Sequence, residues 1–161
     1  MIVSGLNTYH NLFAFPTNPS DHEVHKYVYP PRNIAFDQSD VLSISFYYDH
    51  SIIVFKNGRI AGIGNNGEGQ LGPFFDHLIY NRVTYGHGFV GTFFISAVCG
   101  AWYTLYMHVN EGKETPKATI CFSEDEDKDN FSYIDISTLI SDTKFVPAAI
   151  FGGSEKSAII D

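Results

Sequence analysis

The stretch DHSIIVFKNGRIAGIGNNGEGQLG, residues 49–72, contains the signals that decide the fold. Its Asn57-Gly58 dipeptide lies between two short apolar runs and favours the tight turn of a β-hairpin. We therefore predict two strands, Ser51–Phe55 and Arg59–Ile63, joined by a two-residue turn with positive φ at both Asn57 and Gly58. Four glycines follow within nine residues. Because glycine weakens both helices and strands, we expect a loop there, of either fixed or flexible shape.

The glycine-rich loop also matches GxGxxG at Gly62, Gly64 and Gly67, a pattern that binds dinucleotides. That pattern requires a helix directly after the loop, because the helix N-terminus holds the pyrophosphate. Here two more glycines and Pro73 follow, which leaves no room for a helical turn. We therefore interpret the loop as a turn within an all-β repeat and expect no nucleotide cofactor.

Three segments of the chain share one pattern, in which small residues precede a polar or aromatic pair and an apolar strand. They are ISFYYDHSIIVF from Ile44, ISAVCGAWYTLYM from Ile95 and AAIFGGSEKSAII from Ala148. Aligned on His50, Tyr103 and Lys156, the segments are 53 residues apart in both steps. A period in the fifties with several strands per unit is typical of β-propeller blades. We therefore predict an all-β fold in which residues 1–161 form a single domain, an arc of three propeller-type repeats.

The sequences GNNGEGQLG, CGAWYT and DHS resemble repeats of the regulator of chromosome condensation family. Members of that family form β-propellers, usually of seven four-stranded blades. The resemblance implies blades of antiparallel strands and, with about three repeats, an incomplete ring. The repeat from His50 to Gly72 fits the family best. The second repeat has TICFSEDEDKDNFSYIDI, from Thr119, in place of the glycine loop, and the anchor histidine is present only at His50.

The charge and composition of the chain argue against several classes of function. The net charge is −8 and the pI is about 5.2, so a nucleic-acid-binding surface, which needs clustered Lys and Arg, is not expected. No apolar run approaches the ~20 residues that span a bilayer, and the start MIVSGLN does not resemble a secretory signal. We expect a cytoplasmic or nuclear protein with no membrane or nucleic-acid partner.

Candidate metal motifs do not meet the requirements of a metal site. Cys99 and Cys121 lack the CxxC spacing of zinc sites, and Cys99 is predicted to be a buried, reduced thiol at a strand end. His22 and His25 fall on an extended segment, where residues three apart point to opposite faces. The acidic run SEDEDKD, residues 123–129, lacks the central glycine and final glutamate of a calcium loop. We therefore expect no metal and no cofactor.

We predict a non-catalytic protein–protein interaction module. The SxxK match at Ser141 lacks its companion motifs, and no set of acid, base and nucleophile is recognisable, so no enzyme is expected. The residues just before each anchor occupy equivalent places in successive repeats and should lie along one rim of a rigid scaffold. The predicted protein-binding residues are Tyr48, Asp49, Trp102 and Glu155. Trp102, the single tryptophan, is either an exposed anchor for a partner or packs on the next blade.

The family resemblance implies an alternative function, guanine-nucleotide exchange on a Ran-type small GTPase, which the namesake of the family performs. Such a factor uses the open face of a complete ring and an inserted wedge. Three degenerate repeats supply neither in an obvious way. A small GTPase is therefore kept as the alternative protein partner.

The chain is expected to form a homodimer that completes a ring. Its start, MIVSGLN, matches Ile60–Asn66, and its end, Ile159–Asp161, matches the strand before the hairpin turn. Three blades are too few for a ring, which typically has about four to eight. Two copies joined head to tail would give six blades. The alternative, that the chain is a fragment of a longer propeller, stays open. Light scattering distinguishes the two hypotheses, because it measures the mass of the species in solution.

Overall fold

The structure is a computed structural model, and its strands are all paired antiparallel. The residues that it describes are 2–6, 27–33, 37, 39–67, 69–75, 79–86, 91–123, 131–136, 146–153 and 156–160. They contain the strands β1 (Ile2–Leu6), β2 (Tyr27–Asn33), β3 (Val41–Phe46), β4 (His50–Phe55), β5 (Ile60–Gly64), β6 (Ile79–Tyr85), β7 (Thr92–Cys99), β8 (Tyr103–Asn110), β9 (Lys117–Ser123), β10 (Phe131–Asp135), β11 (Ala149–Gly152) and β12 (Ser157–Ile160). The antiparallel pairings confirm the predicted all-β fold.

The strands form blades in which each strand pairs with the next one along the chain. One four-stranded sheet has the order β3-β4-β5-β6 and a second has the order β7-β8-β9-β10, while β1-β2 and β11-β12 form two-stranded sheets. The first four-stranded sheet packs on the second through β3, β4 and β7, and β11 packs on β7 and β8. The described strands close no ring, so the arrangement is an open arc of propeller-type blades, as predicted. The assignment of residues 1–161 to a single domain, and the ring completed by a second copy, stay predictions.

The 53-residue period is visible in the backbone at the turn between the first two strands of each repeat. Strands β3, β7 and β11 end at Phe46, Cys99 and Gly152. In each repeat the next residue donates its N–H to the carbonyl three residues further on. The bonds are Tyr47 N to His50 O (3.0 Å), Gly100 N to Tyr103 O (2.8 Å) and Gly153 N to Lys156 O (2.9 Å). The three turns, residues 47–50, 100–103 and 153–156, are named the turn face.

The hairpin between β4 and β5 has a three-residue loop, so the predicted two-residue turn is wrong. Gly58 N donates to Phe55 O and Phe55 N donates to Arg59 O, each at 2.9 Å. Gly58 has the predicted positive φ, at 77°. The Asn57 side chain accepts a hydrogen bond from Arg59 N at 3.1 Å. This local side-chain bond stabilises a longer loop in which the glycine occupies the left-handed position.

The core lies between the two four-stranded sheets and explains the apolar run of β4. All six residues of β4 are buried, because this inner strand has sheet neighbours on both sides and protein on both faces. Phe74, Phe94 and Tyr106 meet edge to face in this core, with ring centroids 5.1–5.4 Å apart. Cys99 is buried and unpaired, as predicted. The first two turns of the turn face therefore connect strands that pack in this core.

Candidate functional site

The first turn of the turn face is built on a buried carboxylate. Asp49 is 3% exposed, and its Oδ1 lies 2.9 Å from His50 Nδ1. Its Oδ2 accepts hydrogen bonds from Asn65 Nδ2 at 3.1 Å and from Gln70 Nε2 at 3.2 Å. Burying a carboxylate is costly unless its oxygens are paired, and here both oxygens are paired. Asp49 is therefore not exposed at the rim, because its charge is satisfied inside the protein, and its role in binding a partner stays a prediction.

The glycine-rich loop after β5 has a fixed shape, which decides between the two alternatives that the sequence left open. Asn66 Oδ1 accepts a hydrogen bond from Leu71 N at 2.8 Å, so an amide side chain closes the loop from within. Asn65 N donates to the backbone carbonyl of Asp49 at 2.7 Å. Gly64 has φ of 105°, and a Cβ at this position would overlap the same carbonyl oxygen. Glycine is therefore required where the loop meets the turn.

The first two turns are joined to each other at their bases. His50 Nε2 lies 3.1 Å from Thr104 Oγ1, which links the starts of β4 and β8. Cys99 N donates to Ser45 Oγ at 2.9 Å, which links the ends of β7 and β3. One hydrogen bond thus joins the strands that enter the two turns, and the other joins the strands that leave them. Buried polar contacts of this kind rigidify the groups that they connect, so the two turns form one fixed surface.

The pKa of the buried His50 imidazole is raised above its ordinary value. Burial lowers the pKa of its imidazole, but the Cys99 sulfur and the Asp49 carboxylate raise it, and the resulting pKa is about 9. The protonated ring donates to Asp49 through Nδ1 and to Thr104 through Nε2. The Asp49–His50 pair is neutral as a unit, and it stabilises the first turn without adding charge to the surface.

Two aromatic side chains project from the neighbouring turns. Tyr48 is 63% exposed and Trp102 is 62% exposed, whereas large aromatic residues are usually buried over most of their surface. Trp102 is thus exposed, and its role as an anchor for a partner stays a prediction. Several residues named in the sequence analysis lie outside the described residues: Glu155, His22, His25 and Ser141.

Asp49 and Trp102 occupy the same place in their repeats but differ in burial, and the second repeat contains the reason. There Trp102 and Tyr103 replace the carboxylate and the imidazole. Ser123 replaces the first amide, because Phe122 pairs with Tyr103 as Gly64 pairs with His50. The Tyr103 hydroxyl instead donates to Gly153 O at 3.2 Å and joins the second turn to the third. The glycine loop is absent from the second repeat, and this absence is the sequence signal that distinguishes the two repeats. A buried carboxylate needs the amides of that loop, Asn65 and Gln70, as hydrogen-bond donors.

The rest of the described structure offers few other sites. Within it, no three His, Cys, Asp or Glu side chains are grouped to hold a metal ion, and no helix is long and apolar enough to cross a membrane. A cavity of about 180 Å³ lies at the hairpin end of the first sheet, away from the turn face. Its lining residues are Asp40, Phe55, Asn57, Arg59 and Tyr85. The Arg59 guanidinium stacks on the Tyr85 ring, 4.9 Å from the ring centroid.

Comparison with known proteins agrees with the repeats and the fold. Residues 41–70 match the Regulator of chromosome condensation (RCC1) repeat. The crystal structure of human WBSCR16 is similar to this chain, with a TM-score of 0.53 and 22% sequence identity over 75% of this chain and 30% of that chain. This chain therefore spans less than a third of that protein, and a likeness at this identity shows the fold alone. No curated protein sequence matches the chain.

Proposed function

We propose that this chain is a protein–protein interaction module that binds its partner through the turn face. It carries a regulator of chromosome condensation repeat within an open arc of antiparallel blades. The observation that carries the proposal is the exposure of Tyr48 and Trp102 on neighbouring turns. Aromatic side chains, and Trp and Tyr above all, are enriched among the residues that contribute most to binding energy.

The rigidity of the turn face supports the same function. Hydrogen bonds join the strands at the bases of the first two turns, which supports turns whose relative positions are set before a partner arrives. Contacts that are already ordered lose less conformational entropy on binding, which raises the affinity for a given contact area. Asp49 and His50 thus support binding from beneath the surface without touching the partner.

The proposal is tested with Trp102→Ala and a matched control, Tyr85→Ala, which removes a 46% exposed aromatic side chain at the hairpin end. The wild-type chain captures partners from a lysate, one partner is identified by mass spectrometry, and its affinity is then measured with each purified variant. We expect Trp102→Ala to weaken binding by about tenfold or more and Tyr85→Ala to leave it unchanged. Equal binding by Trp102→Ala and the wild type, with both folded by circular dichroism, would remove the turn face from the proposal.

Guanine-nucleotide exchange on a Ran-type small GTPase is the second candidate, and the repeat at residues 41–70 is the observation in its favour. The test is the rate at which labelled GDP leaves a purified Ran-type GTPase in the presence of the chain. Exchange activity would accelerate the release in proportion to the concentration of the chain. An unchanged rate would remove this candidate and leave the interaction module standing.

A further inference from the structure

We propose that the open edge of β12 pairs with the open edge of β1 from a second copy of this chain, which completes a four-stranded blade in the order β11-β12-β1-β2. The inference concerns two sheet edges and does not rest on the function proposed for the turn face. Among the described strands, β12 pairs with β11 alone and β1 pairs with β2 alone, so each of the two strands has one edge without a neighbour.

The β11–β12 sheet is equivalent, residue for residue, to the first half of the complete blade β3-β4-β5-β6. Phe46 pairs with Ser51 in the complete blade, and Gly152 pairs with Ser157 in the two-stranded sheet, 106 residues later in both strands, which is twice the 53-residue period. The next three pairs of the two sheets keep the same offset. Strand β12 therefore occupies the place of β4, an inner strand whose second edge pairs with β5.

The β1–β2 sheet is equivalent to the second half of the same blade. In the β5–β6 pairing the register shifts between Gly62 and Gly64, and in the β1–β2 pairing it shifts between Val3 and Gly5. Such an irregularity marks one position of a strand, because the extra residue bends the backbone there. Strand β1 therefore occupies the place of β5, with Gly5 at the position of Gly64.

Strand β12 is exposed where its counterpart in the complete blade is buried. All six residues of β4 are buried, whereas three of the four residues of β12 are exposed. Ile160 is 51% exposed, and Val54, the equivalent residue of β4, is fully buried. An apolar strand with an unpaired edge binds a further strand through backbone hydrogen bonds and through burial of its side chains. The strand that fits β12 is one that occupies the place of β5.

The number of blades indicates that this strand comes from a second copy. Two complete four-stranded sheets lie between β2 and β11 along the chain. Pairing β12 with β1 of the same chain would close a ring of three blades, fewer than the about four to eight that propellers contain. Two copies that pair at both sets of edges would close a ring of six blades, with the two-fold symmetry that is commonest among oligomers.

The β4–β5 pairing also predicts the register between the two copies. Ile52 pairs with Gly62 in the complete blade, so Ala158 should pair with Val3 of the second copy. Residues directly opposite each other on antiparallel strands have Cα atoms about 4.5–5.5 Å apart, a separation that a disulfide can bridge. A shift of one residue turns the side chain to the other face of the sheet. The register can therefore be tested with pairs of cysteines.

The first test mixes two purified single variants, Val3→Cys and Ala158→Cys, in reduced form and then oxidises the mixture, so that a 3–158 disulfide can form only between copies. We expect a product of twice the chain mass on a non-reducing gel. The matched control replaces Ala158→Cys with Ser157→Cys, whose side chain points to the other face of β12, and should lose this product. Cys99 and Cys121 are buried and unpaired, and each variant oxidised alone measures their contribution. Equal cross-linking in the two mixtures, or none in either, would overturn the proposal.

The second test measures the mass in solution by light scattering. One chain has a mass of 18.0 kDa, and we expect a species of twice that mass. Ile160→Lys places a charge where the second copy would bury it, and should leave a species with the mass of one chain. The matched control is Leu42→Lys on β3, which replaces a side chain of similar exposure, 49%, and should keep the mass of two chains. Circular dichroism checks that both variants are folded. Any other wild-type mass, or an unchanged mass of folded Ile160→Lys, would overturn the proposal.

Discussion

Replacing Asp49 with alanine should destabilise the protein strongly, although the residue lies in a turn. The substitution removes the acceptor of three side-chain contacts, from His50 Nδ1 at 2.9 Å, Asn65 Nδ2 at 3.1 Å and Gln70 Nε2 at 3.2 Å. It also removes the carboxylate that raises the pKa of the buried His50 imidazole, so the favourable pairing of the two side chains is lost. The free energy of unfolding should therefore fall.

The magnitude follows from these contacts. A hydrogen bond to a charged group contributes about 1.5–3 kcal/mol, and breaking a buried ion pair by removing one partner costs about 3–5 kcal/mol. Because the three donors share one carboxylate, their contributions are not additive, and we expect a loss of about 4 kcal/mol. In a chain of this size each kcal/mol lowers Tm by about 2–4 °C, so Tm should fall by about 8–16 °C.

The assay is urea unfolding at neutral pH, followed by circular dichroism, with two comparison variants. Asp49→Asn keeps the size of the side chain but loses the charge, and should cost about half as much as Asp49→Ala. Trp102→Ala changes the equivalent position of the next repeat, where the side chain is exposed, and should cost less than about 1 kcal/mol. A loss below about 1 kcal/mol for Asp49→Ala would refute the buried network, because an acceptor of three buried donors cannot be removed without cost.

Two further predictions concern the glycine loop and the charge of His50. Gly64→Ala should lower the free energy of unfolding by about 3 kcal/mol in the same assay, because φ is 105° and the new Cβ overlaps the Asp49 carbonyl oxygen. The control Gly112→Ala, with φ of 72° and no atom within 4 Å of its Cβ, should lower it by about 1 kcal/mol. Similar losses for the two variants would contradict the close approach at Gly64. The pKa of His50 is raised from 6.5 to about 9, so the stabilisation from its protonated ring is complete below pH 6.5 and is lost as the pH rises through 9. The stability advantage of the wild type over His50→Gln should therefore shrink between about pH 7 and about pH 10, and a constant difference would show that the ring is not charged.

Much of the backbone could be predicted from the sequence because local patterns specify it. Asn57-Gly58 predicted the hairpin and the positive φ of Gly58. The 53-residue period predicted where equivalent turns occur, and the hydrogen bonds of all three turns follow it. Each of these signals depends on the conformations that a few consecutive residues allow. The length of the hairpin loop was missed, because it depends on a side-chain hydrogen bond of Asn57 that the dipeptide alone does not specify.

The sequence by itself therefore determined the hairpin, the turns and their repetition, whereas the tertiary structure decided which turn residues are buried and which are exposed. Asp49 and Trp102 share one place in the repeat, yet the first is buried and the second is exposed. Asp49 is buried because Gln70, 21 residues further along the chain, bonds its carboxylate, and because His50 bonds Thr104, 54 residues away. The free energy of a buried charge depends on partners within hydrogen-bond distance, and only the folded chain brings such distant residues that close.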